Sequence, residues 1–424
     1  MSDKFARDNN ITILLTRLLL LPALIITLAC SIKLSQTGAV EKELLWDMNM
    51  LKQAPSFNWV KKDSTVLSLT YQGVVYDGKP TQVFAYYSNP DIISGKPSSG
   101  KKFPGVVLIH GGGGRAFPQW VAKWARMGYA AIAMDLSGND GTGKRLPDGG
   151  PEQSNENKIF NFSSADIKKT WPYYAVASVI QAHSLLLNFP EVEKEKTVVT
   201  GISWGGYLTC MMAGLDNRFK AGVPVYGCGF LGESDIFKKQ LERLNAADRA
   251  IWLTYYDPAN YMSVSKMPLM FLNGNKDKHY NVIPYDRNYR LIPPAQRFVC
   301  IKPDMKHNHP AGWESPEIAT FFEQVLTKKK LLPYIVSASA DANAIAVQYE
   351  SPSPLLSAVL YYSNDTISLN ENRSWSFQNA TIDPAAKKIT TTIPPEGYQY
   401  AFIQLINKDS LSMSTEYFIK SSVK

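Results

Sequence analysis

Six short, nearly uninterrupted apolar runs constrain this chain most: Gly105–Ile109, Ala130–Met134, Thr197–Thr200, Ala221–Tyr226, Leu269–Leu272 and Arg297–Ile301. A strand with one wet face alternates polar and apolar residues, whereas a run that is apolar throughout is covered on both faces. Between the runs, Phe117–Met127 and Tyr173–Leu187 have the spacing of crossover helices. A last helix, Pro316–Leu326, opens after Ser315 and runs into three lysines, which favour a helix C-terminus. Strands alternating with helices predict an α/β fold, a doubly wound and mostly parallel sheet with helices on both faces.

The flanks differ from this centre. Val66–Tyr71 and Thr81–Tyr87 read as two strands around a turn at Tyr76–Lys79, and Leu44–Leu51 as a short helix strapped onto the body. The connections Leu136–Trp171 and Gly227–Lys266 are longer than ordinary ones, and long connections above parallel strands usually carry function or form a lid. Past Leu332 come short strands separated by Asn, Asp, Pro and Gly, the pattern of an all-β, immunoglobulin-like sandwich. The expected organisation is a targeting segment over 1–30, an N-terminal strap over 31–63, a catalytic domain over 64–330 and a β-sandwich domain over 331–424.

The first thirty residues carry an export pattern. Lys4, Arg7 and Arg17 precede or interrupt the apolar run Leu18–Ala29, which is followed by Cys30. The run is short for a bilayer span. Thr27-Leu28-Ala29-Cys30 resembles a bacterial lipoprotein cleavage box, with Thr27 where Leu is commonest, and makes Cys30 the lipidation candidate. The expected location is the periplasm or outer membrane of a bacterium, held through a lipid anchor; a plain secretory signal or an uncleaved anchor are the alternatives.

Composition excludes some function classes. Lys+Arg 45 against Asp+Glu 37 gives a formal charge of +8, but the longest basic cluster is Lys328–Lys330, so no nucleic-acid partner is expected. Four cysteines without a C-x-x-C pair, and five histidines without an H-E-x-x-H, point to no metal and no cofactor.

Chemistry concentrates at Gly201-Ile202-Ser203-Trp204-Gly205, between the run Thr197–Thr200 and an apolar helix beginning near Tyr207. G-x-S-x-G at a strand-to-helix turn is a nucleophile elbow, which holds Ser203 above the sheet beside a positive helix N-terminus. His110 and four glycines end the run Gly105–Ile109. Their backbone can approach a substrate closely, so Gly112, with Gly111 or Gly113 as alternatives, is expected to donate one oxyanion hydrogen bond and the Trp204 N–H the other. His110 precedes the serine and reads as structural. After the serine, Asp277 follows the run Leu269–Leu272 and is the expected acid, with Asp257 as rival. His307 follows Arg297–Ile301 and is the expected base, with His309 as alternative. The order Ser203, Asp277, His307 differs from those of the chymotrypsin and subtilisin types.

With these residues in place, Thr65–Leu326 resembles the acetyl xylan esterase and dienelactone hydrolase-like branch of the α/β-hydrolases, which borders the prolyl oligopeptidase catalytic domain. The residues carrying the resemblance are His110–Gly114, Gly128-Tyr129-Ala130 before the strand ending at Asp135, Gly201–Gly206, and Asp257-Pro258 ahead of Pro268–Asp277. Ser203 departs from dienelactone hydrolases proper, which use cysteine. The resemblance implies a serine esterase that removes acetyl or similar acyl groups from polysaccharide through an acyl-enzyme, with glucuronoyl or feruloyl esters also open. It offers Trp171, Tyr173, Tyr174, Trp252, Tyr255, Tyr256 and Trp313 as candidates for sugar stacking, against ordinary lid packing. The alternatives are a surface glycan-binding lipoprotein with a vestigial hydrolase body and a prolyl-oligopeptidase-like peptidase.

Overall fold

In the computed structural model, which describes residues 45–420, the six apolar runs become neighbouring strands of one nine-stranded sheet. The strands are β1 (Phe57–Lys61), β2 (Leu67–Gln72), β3 (Gln82–Ser88), β4 (Phe103–Ile109), β5 (Ala130–Met134), β6 (Val192–Ile202), β7 (Ala221–Val225), β8 (Leu269–Gly274) and β9 (Arg297–Lys302). Their order is β1-β2-β3-β5-β4-β6-β7-β8-β9. The first three pair antiparallel, β3 pairs antiparallel with β5, and β5 through β9 are parallel. Every residue of β5, β7 and β8 is buried, as continuous apolar runs require. The targeting segment over 1–30, with Cys30, and the start of the 31–63 strap lie outside the described residues.

Helices Pro118–Arg126, Trp171–Asn188 and Trp204–Leu215 make the crossovers and fill both faces of the sheet. Trp120 and Trp124 anchor the first, Val176 and Ile180 the second, and Leu208 and Met212 the third, all buried. A fully buried side chain of this size stabilises the fold by about 1.5–3 kcal/mol. β4 connects to β5 on one side while β6 lies on the other, so the strand order reverses around β4. Ligands of open α/β sheets bind at the carboxyl ends of strands at such a reversal.

The strap differs from its sequence reading. It contains the short helix Met48–Leu51, held by Trp46 Nε1 donating to the Tyr173 carbonyl at 2.9 Å, but it also supplies β1. This edge strand half-buries only Phe57 and Trp59, which pack on Phe189. Two inward residues are too few to register as alternation.

The two long connections are stitched to each other. Trp252 Nε1 donates to the Lys158 carbonyl at 2.9 Å, the Ser164 N–H donates to Asp248 at 2.7 Å, and the Tyr256 hydroxyl donates to the Ile167 carbonyl.

The C-terminal strands are β10 (Tyr334–Ala340), β11 (Ala344–Glu350), β12 (Leu355–Ser363), β13 (Ser376–Asn379), β14 (Thr381–Asp383), β15 (Lys388–Thr392), β16 (Tyr400–Asn407), β17 (Ser412–Ser414) and β18 (Phe418–Ile419). They form two antiparallel sheets, β10-β11-β15-β14 and β13-β12-β16-β17, with β18 also on β16. Ile345, Leu360, Ile389 and Ile403 make a small core between these sheets. Phe402, Met413 and Tyr417 instead join the core of the large sheet. Polar contacts join the same seam: Ser412 N–H and Oγ donate to the buried Glu317 carboxylate at 2.9 and 2.8 Å, and Ile301 N–H donates to Ser414 Oγ at 3.0 Å. From Leu45 onward the chain is accordingly one compact unit.

Candidate active site

Ser203 stands between β6 and the helix Trp204–Leu215 with φ 59° and ψ −113°, a strained conformation for a residue with a side chain. Its backbone is fixed from both ends: its N–H donates to the Val225 carbonyl and its carbonyl accepts from Tyr207 N–H, both at 2.8 Å. The flanking glycines are steric necessities. A Cβ on Gly201 would lie 2.2 Å from the Gly205 carbonyl oxygen, and one on Gly205 would lie 2.0 Å from that of Ile109.

The structure brings Ser203, His307 and Asp277 together. Ser203 Oγ lies 2.9 Å from His307 Nε2, and His307 Nδ1 lies 2.5 Å from Asp277 Oδ2. The Asp277 carboxylate is buried, and its other oxygen accepts the N–H groups of His279 and Tyr280, both at 2.8 Å. It therefore faces His307 in one orientation. The imidazole stacks on Tyr226, with centroids 4.6 Å apart, and Tyr226 Oη donates to the Lys306 carbonyl at 2.6 Å. With φ 54°, Tyr226 is a second strained residue at the carboxyl end of a strand. No spacing in the sequence marks it.

The other oxyanion candidates divide. Gly111 N–H is already donated to His309 Nε2 at 3.0 Å. Among the described residues the N–H groups of Gly112 and Trp204 meet no backbone acceptor. Gly112 lies against the Trp204 indole, where a Cβ would come within 3.0 Å of Cδ1.

His309 is thus occupied with the loop after β4 rather than with Ser203. It opens the helix His309–Glu314, and burial, with His110 and His307 nearby, lowers its pKa to about 4. The neutral ring accepts through Nε2. His110 ties the same loop to the end of β5: Leu136 N–H donates to its Nε2 at 2.9 Å, and its Nδ1 lies 2.8 Å from the Gly111 carbonyl. Burial also lowers the His110 pKa to about 4. Asp257, the rival acid, is engaged elsewhere: its carboxylate accepts from the N–H groups of Phe230, Leu231 and Ala259.

Of the aromatic candidates, Trp171, Trp252 and Tyr256 are fully buried, as lid packing requires, while Tyr173 stacks on Trp46 and Trp313 packs on Trp120. Cys210, Cys228 and Cys300 are buried free thiols. Asp277, His279 and His307 offer ligand atoms within 4.8 Å of one another, so a metal ion would find its donors here. Two of the three are already engaged with each other.

Residues 45–248 match the acetyl xylan esterase (AXE1) family. An acetyl xylan esterase from Paenibacillus sp. R4 is similar in structure, with a TM-score of 0.51 at 20% identity, covering 66% of this chain and 92% of that one. Acetyl xylan esterase 1 from Thermoanaerobacterium sp. JW/SL YS485 gives a TM-score of 0.49 at 16% identity, with the same 66% and 92% coverage. Among curated proteins, a probable dipeptidyl-peptidase 5 of Aspergillus terreus is 29% identical over 174 residues, 39% of this chain and 21% of the relative. The match therefore spans about a fifth of that relative's length. The fold is that of the α/β-hydrolases, and the chain resembles their acetyl xylan esterase-like branch.

Proposed function

We propose that the protein is a serine carboxylic-ester hydrolase that removes acetyl or similar small acyl groups from polysaccharide. The reading rests on the hydrogen-bonded series Ser203–His307–Asp277 beside the N–H groups of Gly112 and Trp204, which meet no backbone acceptor among the described residues. The family match over residues 45–248 supports the ester and the acetylated polysaccharide.

Ser203 Oγ attacks the ester carbonyl while His307 Nε2 takes its proton. The new oxyanion accepts from Gly112 and Trp204, and each such donor is worth about 2.7–4 kcal/mol in the transition state. Asp277 holds the imidazole in the required tautomer and stabilises its protonated form. His307 then protonates the departing sugar alcohol, which leaves the acyl group on Ser203. Finally His307 takes a proton from water, which attacks the acyl-enzyme, and gives that proton to Ser203 Oγ as the acid is released.

The chain is further read as an exported lipoprotein carried on Cys30, with a catalytic domain to about residue 330 and an immunoglobulin-like domain after it. In that reading β10-β11-β15-β14 is the A-B-E-D sheet and β12-β16-β17 the C-F-G sheet.

The test is hydrolysis of 4-nitrophenyl acetate by the parent and by Ser203→Ala, followed by acetate release from acetylated xylan. Ser203-dependent release from both supports the reading. The similarity to a dipeptidyl-peptidase favours a second reading, a peptidase, so aminoacyl 4-nitroanilides belong beside the esters. Faster turnover of the anilides would move the assignment there, and binding of glycan without turnover would favour a vestigial enzyme.

A further inference from the structure

The connection between β5 and β6 carries a lysine to the wall of the site. Lys158 lies in the π-helical turn Glu156–Phe160 and is 6% exposed. The turn is pinned by Trp252 Nε1 and Thr170 Oγ1, which donate to the Lys158 carbonyl at 2.9 and 3.2 Å. The ammonium sits 4.6 Å from the centroid of the Trp204 ring, on the residue that follows Ser203. Among the described residues it has no carboxylate within ion-pair distance and no hydrogen-bond acceptor. Buried charges in proteins are normally paired, and a cation–π contact replaces only part of the lost hydration. Burial lowers the Lys158 pKa to about 8, against the pull of the exposed Glu156, so the ammonium persists at neutral pH.

A second unpartnered group lies on the same wall. Among the described residues His279 Nδ1 is buried and without a partner, and its ring centroid is 4.6 Å from that of His307. Phe237 bridges the two features: its ring lies 5.4 Å from Trp204 and 6.2 Å from His279. An imidazole carries at least one ring N–H, so His279 can donate to an anion. An ammonium and an imidazole, both unpartnered beside the serine, make a donor set that lacks its acid.

We propose that Lys158 and His279 form a carboxylate-reading subsite beside Ser203, so that the preferred ester carries a carboxylate close to its scissile bond. The inference rests on the serine-hydrolase reading above and specifies its substrate class. A single ammonium matches a singly charged carboxylate. That group can belong to the acyl side, as in the half-ester of a dicarboxylic acid, or to the alcohol side, as in an acylated hydroxy acid or uronic acid.

Two substrate pairs separate the sources: 4-acetoxybenzoate against phenyl acetate for the alcohol side, and monomethyl succinate against methyl butyrate for the acyl side. The parent is expected to favour the anionic member of one pair at least tenfold in kcat/KM. Lys158→Met, which keeps an unbranched stem, is expected to reduce that ratio at least tenfold, whereas Lys158→Arg keeps it. A parent ratio near one in both pairs, or a ratio in Lys158→Met within twofold of the parent's, overturns the subsite. Calorimetric titration of Ser203→Ala with the anionic esters reads binding without turnover. Binding that is weakened at least tenfold by adding Lys158→Met supports the subsite even where the parent hydrolyses nothing, an outcome that removes only the hydrolase reading. Equal binding by both proteins, or by neither, overturns it.

Discussion

Asn370, in the connection between β12 and β13, donates its side-chain amide to the main-chain carbonyl of Asp277 at 2.8 Å. The same amide reaches the Asn275 carbonyl at 3.1 Å, and Arg373 holds the Asn370 oxygen at 2.6 Å. Asn370 is 1% exposed, so these bonds are made away from water. The segment between β12 and β13 therefore braces the loop whose carboxylate faces His307. Asn370→Ala leaves two buried carbonyls unsatisfied, which costs about 1–3 kcal/mol. The expected result is a lower melting temperature and a several-fold lower kcat, with KM little changed. An unchanged kcat beside a lowered melting temperature would make Asn370 a packing residue only.

The two neighbouring histidines are expected to differ sharply on mutation. His307→Ala removes the proposed base, and losses on triad removal are on the order of 10⁴-fold or more. His309→Ala instead frees Gly111 N–H and loosens the loop that presents Gly112, so a loss of about 10–100-fold is expected. Steady-state kinetics on 4-nitrophenyl acetate decide the matter, and equal losses would exchange the two roles.

Acid should destabilise the fold earlier than carboxylate titration alone. Burial lowers the pKa of His110, His183, His279 and His309, four of the chain's five histidines, with three of them at about 4. A histidine depressed on folding contributes stability above its unfolded pKa, near 6.5, which is lost as pH falls through the folded value. Asp135 acts oppositely: burial raises it to about 6, so its protonation in the folded state offsets part of the loss. Denaturant unfolding between pH 7 and pH 4 is expected to show stability falling throughout. A flat profile over that range would contradict the buried, neutral histidines.

Gly205→Ala tests the elbow itself. The added methyl would meet the Ile109 carbonyl oxygen at 2.0 Å and the His110 carbonyl oxygen at 2.8 Å, both backbone atoms that cannot swing aside as a side chain can. A loss of more than about 3 kcal/mol, or failure to fold, is expected, since overpacking costs exceed the usual 1–3 kcal/mol when nothing can yield. Near-parental thermal stability would show that the turn is looser than described.

Much of the site follows from local rules. The runs that became β4 to β9 are apolar because both faces are covered, and Ser203 is marked because only glycines fit on either side of it. Asp277 and His307 follow from their positions after later strands. Other residues escaped because their signal is not local. Lys158 is one lysine in a long polar connection, and only folding sets it over Trp204. Asn370 acts across 93 residues of sequence on Asp277. Tyr226 earns its place by a positive φ that its sequence does not announce. The three-residue strands Thr381–Asp383 and Ser412–Ser414 are too short to show alternation and exist through their neighbours.

If Ser203 carries the acyl group, rapid mixing of the protein with 4-nitrophenyl acetate reveals it. The expected result is a burst of 4-nitrophenol approaching one equivalent per chain, a matching acetyl mass on the peptide that contains Ser203, and neither signal in Ser203→Ala. A burst that survives Ser203→Ala, or an acetyl mass on another residue, would contradict it.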